Sequence, residues 1–437
     1  MKKTVRILIC VVFCLFLIIS WVFAVNSKST AEKQLFLIEQ AKKLIGDELY
    51  IRALPLLEEA AGYNAPHTVF AENELKRVYL ALIGNRGFSR KYATLLEKQM
   101  NRQDTEPCIY IEAANYYLSS NKTQEALVIL KSAAAKTGDP EILALYEKYR
   151  YVYELSNVSF EHASAIFEQT IQIQSNDMWG IASIDGIVMI PCEYDKISTF
   201  SRDRVIVRKG NDIYAVDKNN NRIAVIKEAV YDIGNLAENR IPLLTENGWC
   251  RASGELELGE SLFNEMGMYS GGYAAAQNGG KWGVVDLSNN WLISADHDDI
   301  IRDELGRCFA QNAVFVRNGD FVYLFTDGSF SDTVYEDARP FSDEGYAAVK
   351  KNGKWGFIDT GGIEVISFIF DDALSFGQHL AAVKLGEFWG YISMYGHIVI
   401  EPVFFEAKSF SEGCAPVLTN RGWQIITLIE YKKGVSL

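Results

Sequence analysis

Four neighbouring residues, Asp296-His297-Asp298-Asp299, form the tightest polar cluster in the 437-residue chain and could offer oxygen and nitrogen ligands to a cation. Acidic pairs recur at Glu336-Asp337 and Asp371-Asp372, so the cluster reads instead as a repeated loop position with solvated neighbours. Nucleophilic chemistry finds no better footing. Ser270, in GMYSGGYAA, lacks the GxSxG spacing and falls where other stretches read FSEG or FSDEG. The five histidines (His67, His162, His297, His379 and His397) include no HExxH pair, and the cysteines include no CxxC for zinc. Paired carboxylates of the glycoside-hydrolysing kind have many combinations among 56 acidic residues, and none is singled out. The sequence therefore assigns no catalytic or metal-binding residue and implies no cofactor.

The elements that would have to position any such group come in three materials. With 49% hydrophobic and 12% aromatic residues the chain can bury a sizeable core, and its length suits two or three domains. A formal charge of -13 and a pI near 5.1 leave no basic face for phosphate contacts, which excludes nucleic acid as a partner. Residues 1–6 carry Lys2, Lys3 and Arg6, and residues 7–25 are apolar apart from Ser20, long enough to span a bilayer as a signal-anchor. The basic end would stay cytoplasmic and the bulk of the chain would lie outside the cytoplasmic membrane. The competing reading is a signal peptide cleaved after Ala24, which would release a secreted protein. Cys10 and Cys14 fall in this segment; Cys108, Cys192, Cys250, Cys308 and Cys414 are scattered singly and make no disulfide framework.

Residues 31–156 show apolar side chains at three and four spacing, as in AEKQLFLIEQAKKLIG and DELYIRALPLLEEAAG, and predict helices in short-linked pairs. In IYIEAANYYLSSNKTQEALVILKSAAAK, small residues such as Ala113, Ala126 and Ala133 let two helices approach closely. Aligning Leu56-Leu57-Glu58 with Leu95-Leu96-Glu97, and then Ala126 with Tyr92, gives spacings of 39 and 34 residues. This resembles tetratricopeptide repeats, although the Trp-Leu-Gly-Tyr part of that pattern is missing; it implies a helical stack, either purely structural or with a peptide groove on its concave face.

From residue 157 to 437 the period changes. Trp179-Gly180, Trp282-Gly283, Trp355-Gly356 and Trp389-Gly390 recur with Trp249 and Trp423; Ile213 and Phe321 fill two gaps, giving intervals of 34, 36, 33, 39, 34, 34 and 34. Upstream pairs such as Ala347 and Val349, or Ala381 and Val383, alternate as a strand does. A turn such as Asn352-Gly353 follows, then the aromatic strand, then a glycine and a third strand such as IVIEP, so each of eight units reads as a three-stranded meander. A loop with an aromatic-acidic pair (FDDALSF, FEAKSF) returns to the next unit. The last unit has no clear third strand, and YELSNVS, residues 153–159, is placed to supply it and close a propeller-like ring; an open superhelix is the alternative.

Tandem GKWG[FYV][IV]D units joined by IVIPxxYDxAxxFSEGxAAV resemble the bacterial WG-repeat family. That resemblance implies a repeat scaffold and carries over no site residues; with the helical stretch before it, the expected fold class is α + β multidomain. Trp179, Gly180, Trp249, Trp282, Gly283, Trp355, Gly356, Trp389, Gly390 and Trp423 are expected as structural repeat positions. The expected function is non-catalytic binding of a protein, a peptide or an envelope glycan by a membrane-anchored scaffold. The alternative is a cell-envelope polysaccharide-acting enzyme, and the discriminator is polar residues that leave the repeat pattern and converge in one pocket.

Overall fold

The computed structural model describes residues 28–432 other than 64, 104, 227, 327 and 328, in two compact units that divide between Tyr146 and Glu147. The segment expected to span the membrane, residues 7–25, lies outside the described residues. No described helix is long and apolar enough to cross a membrane.

The first unit is a run of helices: α1 (28–46), α2 (Tyr50–Gly62), α3 (Thr68–Ala81), α4 (Phe88–Met100), α5 (Pro107–Ser119), α6 (Thr123–Thr137) and α7 (Pro140–Tyr149), which runs across the division. From α2 to α6 each packs on its chain neighbours, α2 on α3 and α5 on α6 most extensively and α3 on α4 and α4 on α5 less so. Ala113, Ala114, Ala126 and Ala133 are all buried, as the small-residue pattern of that hairpin requires. Buried Glu72 accepts from Arg102 at 2.5 Å and pairs with Lys98 at 3.0 Å, so its charge is compensated.

The second unit is an eight-blade β-propeller. Each blade is an antiparallel sheet of four strands, not the three read from the sequence. In seven blades the extra strand is a two-residue piece in the returning loop, for example Asp372–Ala373 before Leu380–Leu385, Phe388–Ser393 and Ile398–Phe404; in blade 3 it is Val230–Ile233. Two residues are too few to show alternation, so the sequence pattern could not reveal it. We number the blades 1 to 8 from residue 162 to the C-terminal end. The short strand is the innermost, because the loops that follow it bring Ala165, Ala237, Met268 and Leu305, from blades 1, 3, 4 and 5, into a single buried cluster at the axis.

The ring closes as expected. Strand β1 (Tyr153–Leu155) pairs with Gly422–Leu428 and becomes the outer strand of blade 8, whose other strands come from the opposite end of the unit. Phe160 and Trp423 exchange backbone hydrogen bonds at 2.8 and 2.9 Å, Ser156 N donates to Ile425 O at 2.8 Å, and Gln424 Nε2 to Ser156 O at 2.6 Å.

The tryptophans form the seams between blades. Trp282 packs between blades 4 and 5, Trp355 between 6 and 7, Trp389 between 7 and 8, and Trp423 between 8 and 1, all buried. Trp179 and Trp249 are half-buried. The following glycine is required by the outer strand, which bulges over it: Trp355 pairs with Phe370 but Phe357 with Ile366, so two residues of the inner partner face four. A Cβ at Gly356, Gly390 or Gly283 would stand 2.8, 2.5 or 2.3 Å from the carbonyl oxygen of Ile366, Ile400 or Ile293.

Register corrects one assignment. Trp355 faces Lys350, Trp282 faces Gln277 and Ile213 faces Arg208, but in blade 5 it is Val322 that faces Arg317, while Phe321 faces Asn318 as Lys354 faces Lys351. Val322 is fully buried and Phe321 is 49% exposed. Aromatic character pointed to Phe321; the seam of this blade instead uses a small β-branched residue. Two outcomes follow for denaturant unfolding. Trp355→Ala should cost about 3–5 kcal/mol by leaving an inter-blade cavity. Phe321→Lys should stay within about 0.5 kcal/mol, whereas Val322→Lys buries an unpaired charge and should be the far more destabilising of the two; the reverse order would restore Phe321 to the seam.

Candidate functional site

The acidic loop residues are committed to holding turns. Asp298 accepts from Gly319 N at 2.7 Å and from Lys281 Nζ at 2.5 Å, and the lysine bond and the Gly319 amide hold its carboxyl below the usual range. Asp371 accepts in the same way from Gly386 N at 2.8 Å and Lys354 Nζ at 2.6 Å, and Asp195 accepts from Gly210 N at 2.6 Å. His297 lies edge-on to Phe325 and against Asn318. Residues 296–299 thus do not converge, and among the described residues no group of His, Cys, Asp or Glu could hold a metal ion.

Beside the seam tryptophans stand cations. Arg302 lies 3.8 Å from the Trp282 ring centroid, Arg339 4.3 Å from Trp355 and Lys408 5.1 Å from Trp423. Arg302 is matched by Asp299 and Arg339 by Asp337 and Asp372, so these positions complete the seams and leave no anion site.

What departs from the repeat is the loop between the short inner strand and the next one. Six of the eight loops have 6 residues; blade 5 has 12 (301–312) and blade 6 has 7 (339–345). The blade 5 loop reaches into the axis. Asp303 folds it, accepting from Leu305 N at 3.0 Å, Arg307 N at 2.8 Å and Arg307 Nε at 2.6 Å. Its tip is tied to three other blades: Asn235 Nδ2 donates to Leu305 O at 3.0 Å, Met268 N to Gly306 O at 3.0 Å, and Lys408 Nζ to Glu304 at 2.5 Å. Cys308 anchors its return; it is fully enclosed, and burial pushes its thiol up to about 12, which leaves it inert at neutral pH.

Both unusual loops line one cavity of about 450 Å³, with the corresponding loops of blades 1, 4, 7 and 8 also in its wall. Its polar lining includes Asp303, Arg307, Ser342, Asp343, Glu344 and His379, and Ser270 also reaches it. Phe341, Phe376 and Phe410 back the wall as core residues. Ser342 is 7% exposed and its hydroxyl has no hydrogen-bond partner. Glu344, with a side chain 11% exposed, accepts from His379 N at 2.8 Å and has the exposed His379 ring 4.0 Å away. The bond from His379 belongs to a rim motif in which one turn clasps the next: Glu238 takes Gly271 N and Gly272 N at 2.6 and 3.0 Å, Ser201 donates to Glu168 at 2.8 Å, and Gln378 takes Gly413 N. Two further cavities, about 480 and 510 Å³, abut the blade 5 loop. The helical unit has its own shallow groove, in which Leu75, Tyr79 and Leu95 are flanked by Arg90, Lys91 and Lys98.

Sequence patterns single out no residue of the axial cavity as a site, although two signals for it are present. The interval of 39 between Trp282 and Phe321 marks the insertion, and FSDEG carries one residue more than FSEG.

Among known families, the one described as WG containing repeat matches residues 179–211, 260–282, 332–355, 355–387 and 389–423. The unmatched stretches hold Ile213, Trp249 and Val322, where the Trp-Gly pair is incomplete. Solved structures with similar folds include Hsv2p of Kluyveromyces lactis, at 10% identity over 54% of this chain and 92% of that one, with a TM-score of 0.36. The Pan2 WD40 domain of Neurospora crassa is similar at 10% identity over 67% and 92%, TM-score 0.34. The extracellular domain of the putative one component system BT4673 from B. thetaiotaomicron is similar at 12% identity over 62% and 46%, TM-score 0.34. No curated protein matches the sequence.

The axial plug generates a pH prediction. About a third of the Glu304 side chain faces channel solvent, but its remaining surroundings are protein, and that burial raises its carboxyl above the usual range against the opposing pull of Lys408. A carboxyl whose folded value is raised stabilises the fold below its unfolded value, near 4.3, and loses that contribution as pH rises through the folded value. Wild type should therefore lose stability relative to Glu304→Gln as pH rises from about 4. Unfolding midpoints compared across that range check it, and a gap independent of pH would contradict it.

Proposed function

We propose that this chain, a protein of WG containing repeats folded as an eight-blade β-propeller, is a non-catalytic binding scaffold of a bacterial cell envelope, held at the cytoplasmic membrane by residues 7–25 with the propeller outside. Its ligand is a protein, a peptide or an envelope glycan. The observation that carries this reading is that the two departures from the inner-loop repeat line one cavity, while Asp303, the carboxylate of the longer loop, is already engaged within that loop. Symmetric repeats supply a rigid rim, and the exceptional loops give that rim one distinctive place to bind.

The second reading, a polysaccharide-acting enzyme, is favoured by Asp303 and Glu344 lining the same cavity. Glycoside hydrolysis asks one carboxyl to donate a proton and a second to act as base or nucleophile. Asp303 spends both oxygens on its own loop, which leaves Glu344 without an equally enclosed second carboxylate. Binding is therefore the stronger reading.

Cell fractionation tests the tether: the full chain should sediment with membranes, and a variant lacking residues 1–25 should not. Recovery of only a soluble form trimmed after Ala24 would refute the anchor. Cross-linking of the tethered protein should capture a partner, and incubation with cell-wall polysaccharide should release no new reducing ends. Release that is lost in Glu344→Gln would establish the enzyme instead.

A further inference from the structure

We infer that the axial cavity framed by the inner loops of blades 5 to 8 takes a cationic group, an amine or guanidinium presented by a basic peptide segment. The inference rests on the binding reading above and names the chemistry of its ligand. Three carboxylates, Asp303, Asp343 and Glu344, line the cavity with one guanidinium, Arg307, and Arg307 is held by Asp303. That leaves Asp343 and Glu344 without a lysine or arginine partner among the described residues.

Glu344 carries the argument. Its side chain is 11% exposed, and a carboxylate so enclosed is costly unless a cation or several donors compensate it. The structure supplies one amide, His379 N, and an imidazole that is 64% exposed and 4.0 Å away. Buried Glu72 in the helical unit shows the contrast, with Arg102 and Lys98 both on its oxygens.

Ser342, two residues before Glu344, is a second and independent sign. Its hydroxyl is buried and has no hydrogen-bond partner among the described residues, whereas Ser201, which holds the same place after Phe200 in blade 2, donates to Glu168 at 2.8 Å. An ammonium has three donors and no acceptor, so it could give hydrogen bonds to Glu344 and to the Ser342 oxygen at once. An anionic ligand would meet uncompensated carboxylates, and its repulsion from Asp343 and Glu344 argues against it. A free small amine and a lysine side chain share this chemistry; the space of about 450 Å³ admits a side chain with its adjoining backbone.

Calorimetric titration of the chain lacking residues 1–25 with tri-lysine, at low salt, tests the inference. One tri-lysine should bind per chain. Affinity should fall at least about tenfold in Glu344→Gln and in Ser342→Ala. It should be unchanged in Glu412→Gln, a rim carboxylate that does not line the cavity. Each variant is first shown to keep the wild-type unfolding midpoint, and Glu344→Asp, which keeps the charge, should retain part of the affinity. Equal tri-lysine binding by all variants would reduce the effect to general attraction by an acidic protein and overturn the inference. So would no binding of tri-lysine beside Ser342-dependent binding of a neutral disaccharide, an outcome that leaves the scaffold reading standing. Tri-lysine binding together with polysaccharide cleavage would spare the cationic site and sink the non-catalytic reading.

Discussion

An eight-blade ring has one interface that continuous chain cannot make: blade 8 must meet blade 1, so the two ends of the domain have to pair. Everything else in the propeller presupposes this contact, because an unclosed array would leave the core faces of two terminal blades in water. Three residues, Tyr153–Leu155, supply the missing outer strand, but the closure is stronger than a three-residue ladder. Phe160 exchanges two bonds with Trp423, the Ser156 carbonyl takes the Gln424 amide, and Gly422 leaves room for the Phe160 carbonyl, which a Cβ there would approach to 2.8 Å. The closing seam then uses the same packing as the others, with Trp423 set among Ala163, Ile166 and Ile171 of blade 1.

The same constraint explains why so acidic a chain offers so few candidate sites. A propeller of short strands is mostly turns, and each turn leaves backbone amides that need acceptors. Asp371, Asp298 and Asp195 cap hairpins; Asp359, Asp286 and Asp217 each take amides of a tight turn, as when Asp359 accepts from Gly361 N and Ile363 N at 2.9 Å. A carboxylate serves better than a hydroxyl here because it accepts several bonds at once. These six carboxylates are thus a consequence of architecture; Glu344 also clasps the neighbouring turn through His379 N, but with no lysine or arginine beside it among the described residues.

Much of this architecture is legible in the amino-acid sequence. Eight units, the seams at Trp282, Trp355, Trp389 and Trp423, the need for Gly356 and the closure by residues 153–159 all follow from period, spacing and the lack of a third strand in the last unit. What escapes has physical causes. A two-residue strand such as Asp372–Ala373 has no period to detect. Phe321 outranks Val322 on side-chain character, since an aromatic is the natural occupant of a tryptophan site, yet register is set by the number of turn residues and not by side-chain size. The cavity escapes because its lining converges from six blades, and no local pattern encodes the meeting of residues 303, 344 and 379.

A repeat protein places its function by breaking its own symmetry. Loops of 6 residues, repeated around an axis, would leave a channel lined alike on every side, with no reason to bind one ligand in one orientation. The 12-residue loop buries Leu305 in the axial cluster and sends Glu304 to Lys408 of blade 8, so the axis is no longer symmetric. One of the spaces left beside it opens toward blades 5 to 8, where the loop 339–345 sets Ser342 and Glu344 into the wall. Insertion and cavity are therefore one feature: the loop that blocks the symmetric channel is the loop that makes an asymmetric pocket, and its own charges are neutralised within it or across the axis, leaving the wall of blade 6 to meet a ligand.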